Sequence, residues 1–171
     1  MVEGQMKDKI AVVGFSKCGT MSLVEWLKKK HPNAEVSRPE TIYADLRGPH
    51  VQEKWIEWSC VVITRNPLDR IKSGISYWPE LRNKGIEGAC TGIDRYFNVG
   101  FGNPIEQSNY EKYIKLWQRR TGTKIEKVYK FEDMIKDTEF PHINETPTKI
   151  KFSKKEMDHI KNRLQEAGIS Y

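Results

Sequence analysis

"KIAVVGFSKCGTMSLVEWLKKK", residues 9–30, is the stretch that decides the fold. Its opening, Lys9 to Phe15, is a short, β-branched apolar run with a glycine near its end. Too short and too flat for a 3.6-residue repeat, it predicts a buried strand of a parallel sheet. Leu23, Trp26 and Leu27 then fall at i, i+3 and i+4, Lys28 to Lys30 suit the negative end of a helix, and Pro32 stops it. Between strand and helix lies a loop bounded by Gly14 and Gly19. A strand, a Gly-containing loop and a helix N-terminus bring successive backbone N–H groups and the positive end of a helix dipole to one point, which makes an anion site.

Outward from this unit the pattern repeats. "AEVS" (34–37) is a weaker strand, and "CVVIT" (60–64) is a second buried apolar run, ending at Arg65. Asn66 is placed as an N-cap and Pro67 at the first position of a helix running to about Trp78. Leu68, Ile71, Ile75 and Trp78 form its apolar face; Arg70, Ser73 and Tyr77 fall on the other. Residues 84–104 carry five glycines with little periodicity and are expected to form a long mobile loop holding at most a short helix. Ser108 and Glu111 match a capping box ahead of Tyr110, Tyr113, Ile114 and Trp117, a helical stripe closed by Gly122. The strand "KIEKVYKF" follows, and Ser153 with Glu156 opens a last helix with Met157, Ile160 and Leu164 inward and Gly168 as its stop. Strands alternating with helices predict a three-layer α/β/α arrangement around a central parallel sheet, similar to P-loop NTPases.

The 171 residues fit a single domain over 1–171, long enough to bury roughly 68–70% of the surface of the unfolded chain. Cys18, Cys60 and Cys90 are odd in number, far apart and without metal-ligand spacing, which points to a reduced, cytoplasmic setting rather than to disulfides or zinc. No apolar run approaches the ~20 residues that span a bilayer, so no membrane is expected. Twenty-nine Lys plus Arg against 23 Asp plus Glu give a net charge of +6, which favours anionic partners without choosing among them.

The loop itself narrows that choice. Gly14 and Gly19 have the interval of G-x-x-x-x-G-K-[ST], yet Thr20 stands where that motif has its lysine, and the lysine is instead Lys17, two residues before Gly19. A Walker-type NTPase also wants a carboxylate at the end of a neighbouring strand to hold Mg²⁺. Here "VVIT" ends in Arg65, which attracts a phosphate and repels a metal; Glu132 and Asp133, after an amphipathic strand, are the other candidates. No metal site is therefore expected. "RNPLDRIKSGISYW" adds Ser73, eight residues after Arg65, and a guanidinium with a hydroxyl suits one phosphate. Two anion sites at the ends of two strands of one sheet suit a ligand with two separated phosphates.

With "SKCGTMSL" followed by "RNPLDRIKSGISYW", in that order, the chain resembles the sulfotransferases that use 3'-phosphoadenosine 5'-phosphosulfate (PAPS) as donor and release 3',5'-phosphoadenosine. "SNYEKYIKLW", "KIEKVYKFEDM", "FPHINET" and the segment near "AGISY" extend the resemblance over most of the chain. It implies that Ser16, Lys17, Cys18, Gly19, Thr20, Met21 and Ser22 hold the phosphosulfate, that Lys17 also acts in catalysis, and that Arg65 and Ser73 bind the 3'-phosphate. Met21 departs from the hydroxyl residue often present at its position.

Such a reaction also needs a general base for the acceptor hydroxyl. "SRPETIY" places Glu40 after the second strand, much as a glutamate follows it in enzymes acting on glycosaminoglycans, with Arg38 beside an acidic acceptor; His50 is the second candidate. The acceptor is expected to be a small molecule or a glycan, anionic ones included, and not nucleic acid. Two other readings stay open on the same residues. One is a nucleotide or metabolite kinase of the P-loop type; the other is a non-catalytic basic domain that binds nucleic acid.

Overall fold

A computed structural model of the chain describes residues 6–15, 17–37, 42–47, 55–77, 104–143 and 150–171. Ser16, Glu40, His50, Cys90 and nearly all of the glycine-rich segment lie outside the described residues. The fold is α/β. Four strands, β1 (Lys9–Val12), β2 (Glu35–Ser37), β3 (Ser59–Thr64) and β4 (Ile125–Lys130), form an all-parallel sheet in the order β2-β1-β3-β4. Helices α1 (Thr20–Lys30), α2 (Ile42–Arg47), α3 (Pro67–Tyr77), α4 (Pro104–Gln107), α5 (Tyr110–Thr121), α6 (Phe131–Met134) and α7 (Lys154–Glu166) complete the described elements.

The chain divides into two compact units. The first comprises Met1–Arg65 and Glu111–Asn144 and contains the whole sheet. In β1, Ile10, Ala11 and Val12 are fully buried, and so are Cys60 to Ile63 of β3, because these two strands are central and apolar on both faces. Outermost, β4 alternates less strictly: Ile125 and Tyr129 are buried, whereas Glu126, Lys127, Val128 and Lys130 are exposed. Since β1 lies between β2 and β3, the chain leaves β1 toward one side of the sheet and later returns on the other. The reversal falls at the carboxyl ends of β1 and β3, the place where open α/β sheets bind ligands.

Helix α1 buries Leu23, Val24 and Leu27, close to the predicted face. Trp26 is half-buried instead, edge-on to Tyr129 with centroids 6.0 Å apart, and its indole donates to Asp137 Oδ2 at 3.0 Å. A buried carboxylate organises the other side. Asp45 of α2 accepts from Trp55 Nε1 at 3.1 Å and from Trp117 Nε1 of α5 at 2.8 Å, which ties α2, the turn before β3 and α5 together.

The second unit comprises Asn66–Tyr110 and Glu145–Tyr171. Ile71 and Ile75 of α3, Ile105, and Ile160 and Leu164 of α7 form its core, with Leu68 and Phe152 packed against them. Asn66 caps α3 as expected, its Oδ1 accepting from Leu68 N–H at 3.0 Å and Asp69 N–H at 3.2 Å. The Ser153–Glu156 capping box is complete in both directions, at 2.8 and 3.2 Å. Gly168, at φ 70, ends α7 by turning the Ile169 N–H back onto the Leu164 carbonyl.

Arg70, expected on the face of α3 opposite its apolar residues, is buried, donating to Ser108 Oγ at 2.9 Å and Gln107 Oε1 at 3.1 Å. Helix α5 begins at Tyr110, and the Glu111 carboxylate pairs with Lys115 at 2.6 Å. A buried guanidinium needs acceptors, and Arg70 finds them in Gln107 and Ser108.

Candidate functional site

The candidate site is the loop between β1 and α1, together with what β3 and α6 bring to it. Two residues in the loop have left-handed backbone, Lys17 at φ 62 and Gly19 at φ 85. For glycine this conformation carries no steric penalty, whereas a lysine there costs about 1 kcal/mol or more. Gly19 is excluded from carrying a side chain for a second reason, since a Cβ would lie 2.6 Å from the Phe131 ring.

As the N-cap of α1, Gly19 offers no side-chain cap, and no carboxylate occupies the first turn. The amide groups there have the positive end of an 11-residue helix behind them. Thr20 turns inward, its hydroxyl donating to the Phe15 carbonyl at 3.2 Å. The tight packing of its side chain against Gly14, 2.9 Å or less from where a Cβ would stand, leaves no room for anything but glycine at that position. Ser22 is buried and its Oγ accepts from the Ile143 N–H at 3.1 Å, tying the helix start to the segment after α6. Cys18 is fully buried, so it offers the loop its backbone rather than its thiol, and Met21 is half-buried.

Arg65, directly after β3, reaches this loop. Its Nη1 donates to the Lys17 carbonyl at 3.4 Å, and its guanidinium lies 4.6 Å from the centroid of the Phe131 ring. Burial, and secondarily the charge of Arg65, hold the Lys17 ammonium below the usual lysine pKa. Neighbouring cations oppose each other, a repulsion that a bound anion relieves.

Of the residues expected in the site, the structure places Lys17, Cys18 and Gly19 in the loop and Thr20, Met21 and Ser22 in the first turn of α1, with Arg65 reaching the loop from the end of β3. Ser73 belongs to the second unit, half-buried on α3. Ser16, Glu40 and His50 lie outside the described residues. Trp55 and Trp58 pack edge to face, and Trp55 is buried and committed to Asp45, with Trp58 half-buried beside it. Asp133 pairs with Lys136 at 3.1 Å, and among the described residues no group of three or more His, Cys, Asp or Glu is arranged to hold a metal ion.

Phe131 was not legible as a site residue. Its signal was an aromatic immediately after a strand, in "VYKF", but only the pairing of β4 with β3 reveals that this position lies beside Arg65. Among the described residues no helix is long and apolar enough to cross a membrane. Compared with protein-family models, with curated proteins and with solved structures, the chain matches none.

Proposed function

We propose that this protein is a sulfotransferase, moving a sulfuryl group from PAPS to an acceptor hydroxyl, with a carbohydrate as the favoured acceptor, on a P-loop-like three-layer α/β/α fold. One observation carries the reading: Lys17, inside the loop, and Arg65, from the neighbouring strand, meet at the uncapped N-terminus of α1.

That geometry favours PAPS over a nucleoside triphosphate with Mg²⁺. Thr20 stands where the triphosphate-binding lysine would be and spends its hydroxyl on Phe15. Met21 stands where a Mg²⁺-holding hydroxyl would follow, and Arg65 replaces the carboxylate at the strand end. The donor supplies an activated sulfuryl group on a phosphate leaving group, and the residues present suit it. The first-turn amides of α1 hold phosphate oxygens, and Arg65 binds the second phosphate. Lys17 provides a fixed positive charge that counts most when negative charge develops on the departing oxygen. Glu40 and His50 remain the two candidates for accepting the proton of the acceptor hydroxyl.

Calorimetric titration tests the reading. Binding of 3',5'-phosphoadenosine is expected to be unchanged by EDTA and tighter than that of ATP with Mg²⁺. Preference for ATP with Mg²⁺ would assign the site to a kinase instead, and indifference to both, with steeply salt-dependent binding of nucleic acid, would assign it to a non-catalytic domain.

A further inference from the structure

We infer that Phe131 is a positioning residue of this site, holding the Arg65 guanidinium against the loop so that the arginine presents one orientation to an incoming anion. The inference deepens the function proposed above, on whose reading of the loop as an anion site it rests.

Three contacts converge on this ring. On one side it touches Gly19, closely enough that a Cβ there would come within 2.6 Å of Cδ2 and 2.8 Å of Cε2. It also receives the guanidinium of Arg65 at 4.6 Å from its centroid, within the range of a cation–π interaction. Behind it, Phe140 is buried and meets it edge-on, with centroids 6.2 Å apart and an interplanar angle of 75°. The ring is therefore fixed from behind and acts on the loop and the arginine at once.

An arginine at a strand end has four side-chain torsions to order on binding, and ordering such a side chain opposes affinity. Here the guanidinium is held from two directions, by the ring and by the Lys17 carbonyl at 3.4 Å. A guanidinium carries five N–H donors in a planar fork. Phe131 thereby lowers the cost of binding without touching the reacting atoms.

Phe131→Leu keeps apolar bulk against Gly19 and removes the π-face; Phe131→Tyr restores it. In the ligand-free protein, the Arg65 side-chain NH protons are expected upfield in the wild type through the ring current. This shift should be lost in Phe131→Leu and restored in Phe131→Tyr. In titrations, Phe131→Leu is expected to weaken anion binding about three- to tenfold. It should cost nothing further in an Arg65→Ala background. Running this double-mutant cycle with both 3',5'-phosphoadenosine and inorganic pyrophosphate separates the two proposals. A protein that binds only pyrophosphate sinks the donor assignment, while coupling in the pyrophosphate arm still decides the role of Phe131. An unshifted Arg65 signal in the wild type, or fully additive losses in the cycle, would overturn it.

Discussion

Lys17 combines two costs that a merely structural residue would not keep. Its backbone is left-handed, and its ammonium is half-buried beside another cation. Replacing it by glycine relieves both, so Lys17→Gly is expected to stabilise the fold by about 1 kcal/mol in urea titration, while abolishing sulfuryl transfer. A variant that lost stability and retained turnover would contradict both parts. The charge state gives a second test. With its pKa lowered in the fold, Lys17 is charged at a cost that is full below its folded pKa. This cost is relieved as pH rises from there toward the ordinary value of 10.5. If protonated Lys17 is needed for transfer, kcat/KM falls on the alkaline side below pH 10.5. Because Arg65 contributes to the lowering, Arg65→Gln is expected to move that limb upward, on top of its loss in donor affinity.

Helix starts in this protein differ in how they are closed. Those of α3 and α7 are capped by Asn66 and Ser153, which close the first turn with side-chain oxygens. The starts of α1 and of the short α6 have no side-chain cap, and α1 also lacks the acidic residues, Glu132 and Asp133, that α6 carries in its first turn. A cap at the start of α1 would occupy the amides that an anion needs. The contrast makes a prediction about α7: Ser153→Ala removes one half of a reciprocal pair and is expected to cost about 1 kcal/mol, measured as a shift of the urea midpoint at constant m. Within the first unit, Asp45 plays a comparable part from the inside, since one carboxylate satisfies two buried indoles and anchors α2. Ile42, at the start of that helix, donates its N–H to the Gly14 carbonyl at 3.0 Å, so the anchor extends to the edge of the anion loop.

For the molecule as a whole, two features favour an anionic ligand under the proposed function: the net charge of +6 and the reversal of strand order between β1 and β3. Both cysteines among the described residues are buried. Burial, with a smaller contribution from Glu126, pushes the Cys60 thiol up to about 12, and Cys18 is buried as well. Neither should react with iodoacetamide at pH 8 until the fold opens. Mass spectrometry of labelled peptides across a urea series should therefore show Cys60 labelling that follows the global unfolding curve. Labelling well before the transition would mean that β3 opens locally.

Much of this was readable from local chemistry. The apolar run from Ile10, the glycine spacing, the i, i+3, i+4 stripe of α1, the Asn66-Pro67 start and the Ser153–Glu156 box act over a few residues, and each appeared where its pattern placed it. Arg70 is satisfied by Gln107 and Ser108, 37 and 38 residues away, because a buried guanidinium must find acceptors, and no local pattern announces them. The anion site divides along the same line. Lys17 and Gly19 announce themselves by spacing, since loop geometry is a property of consecutive residues. That Arg65 bends onto the Lys17 carbonyl, and that Phe131 lies between it and Gly19, follows from β1, β3 and β4 lying side by side. Parallel strands gather their carboxyl ends at one edge, and no pattern along the chain encodes which side chains then touch.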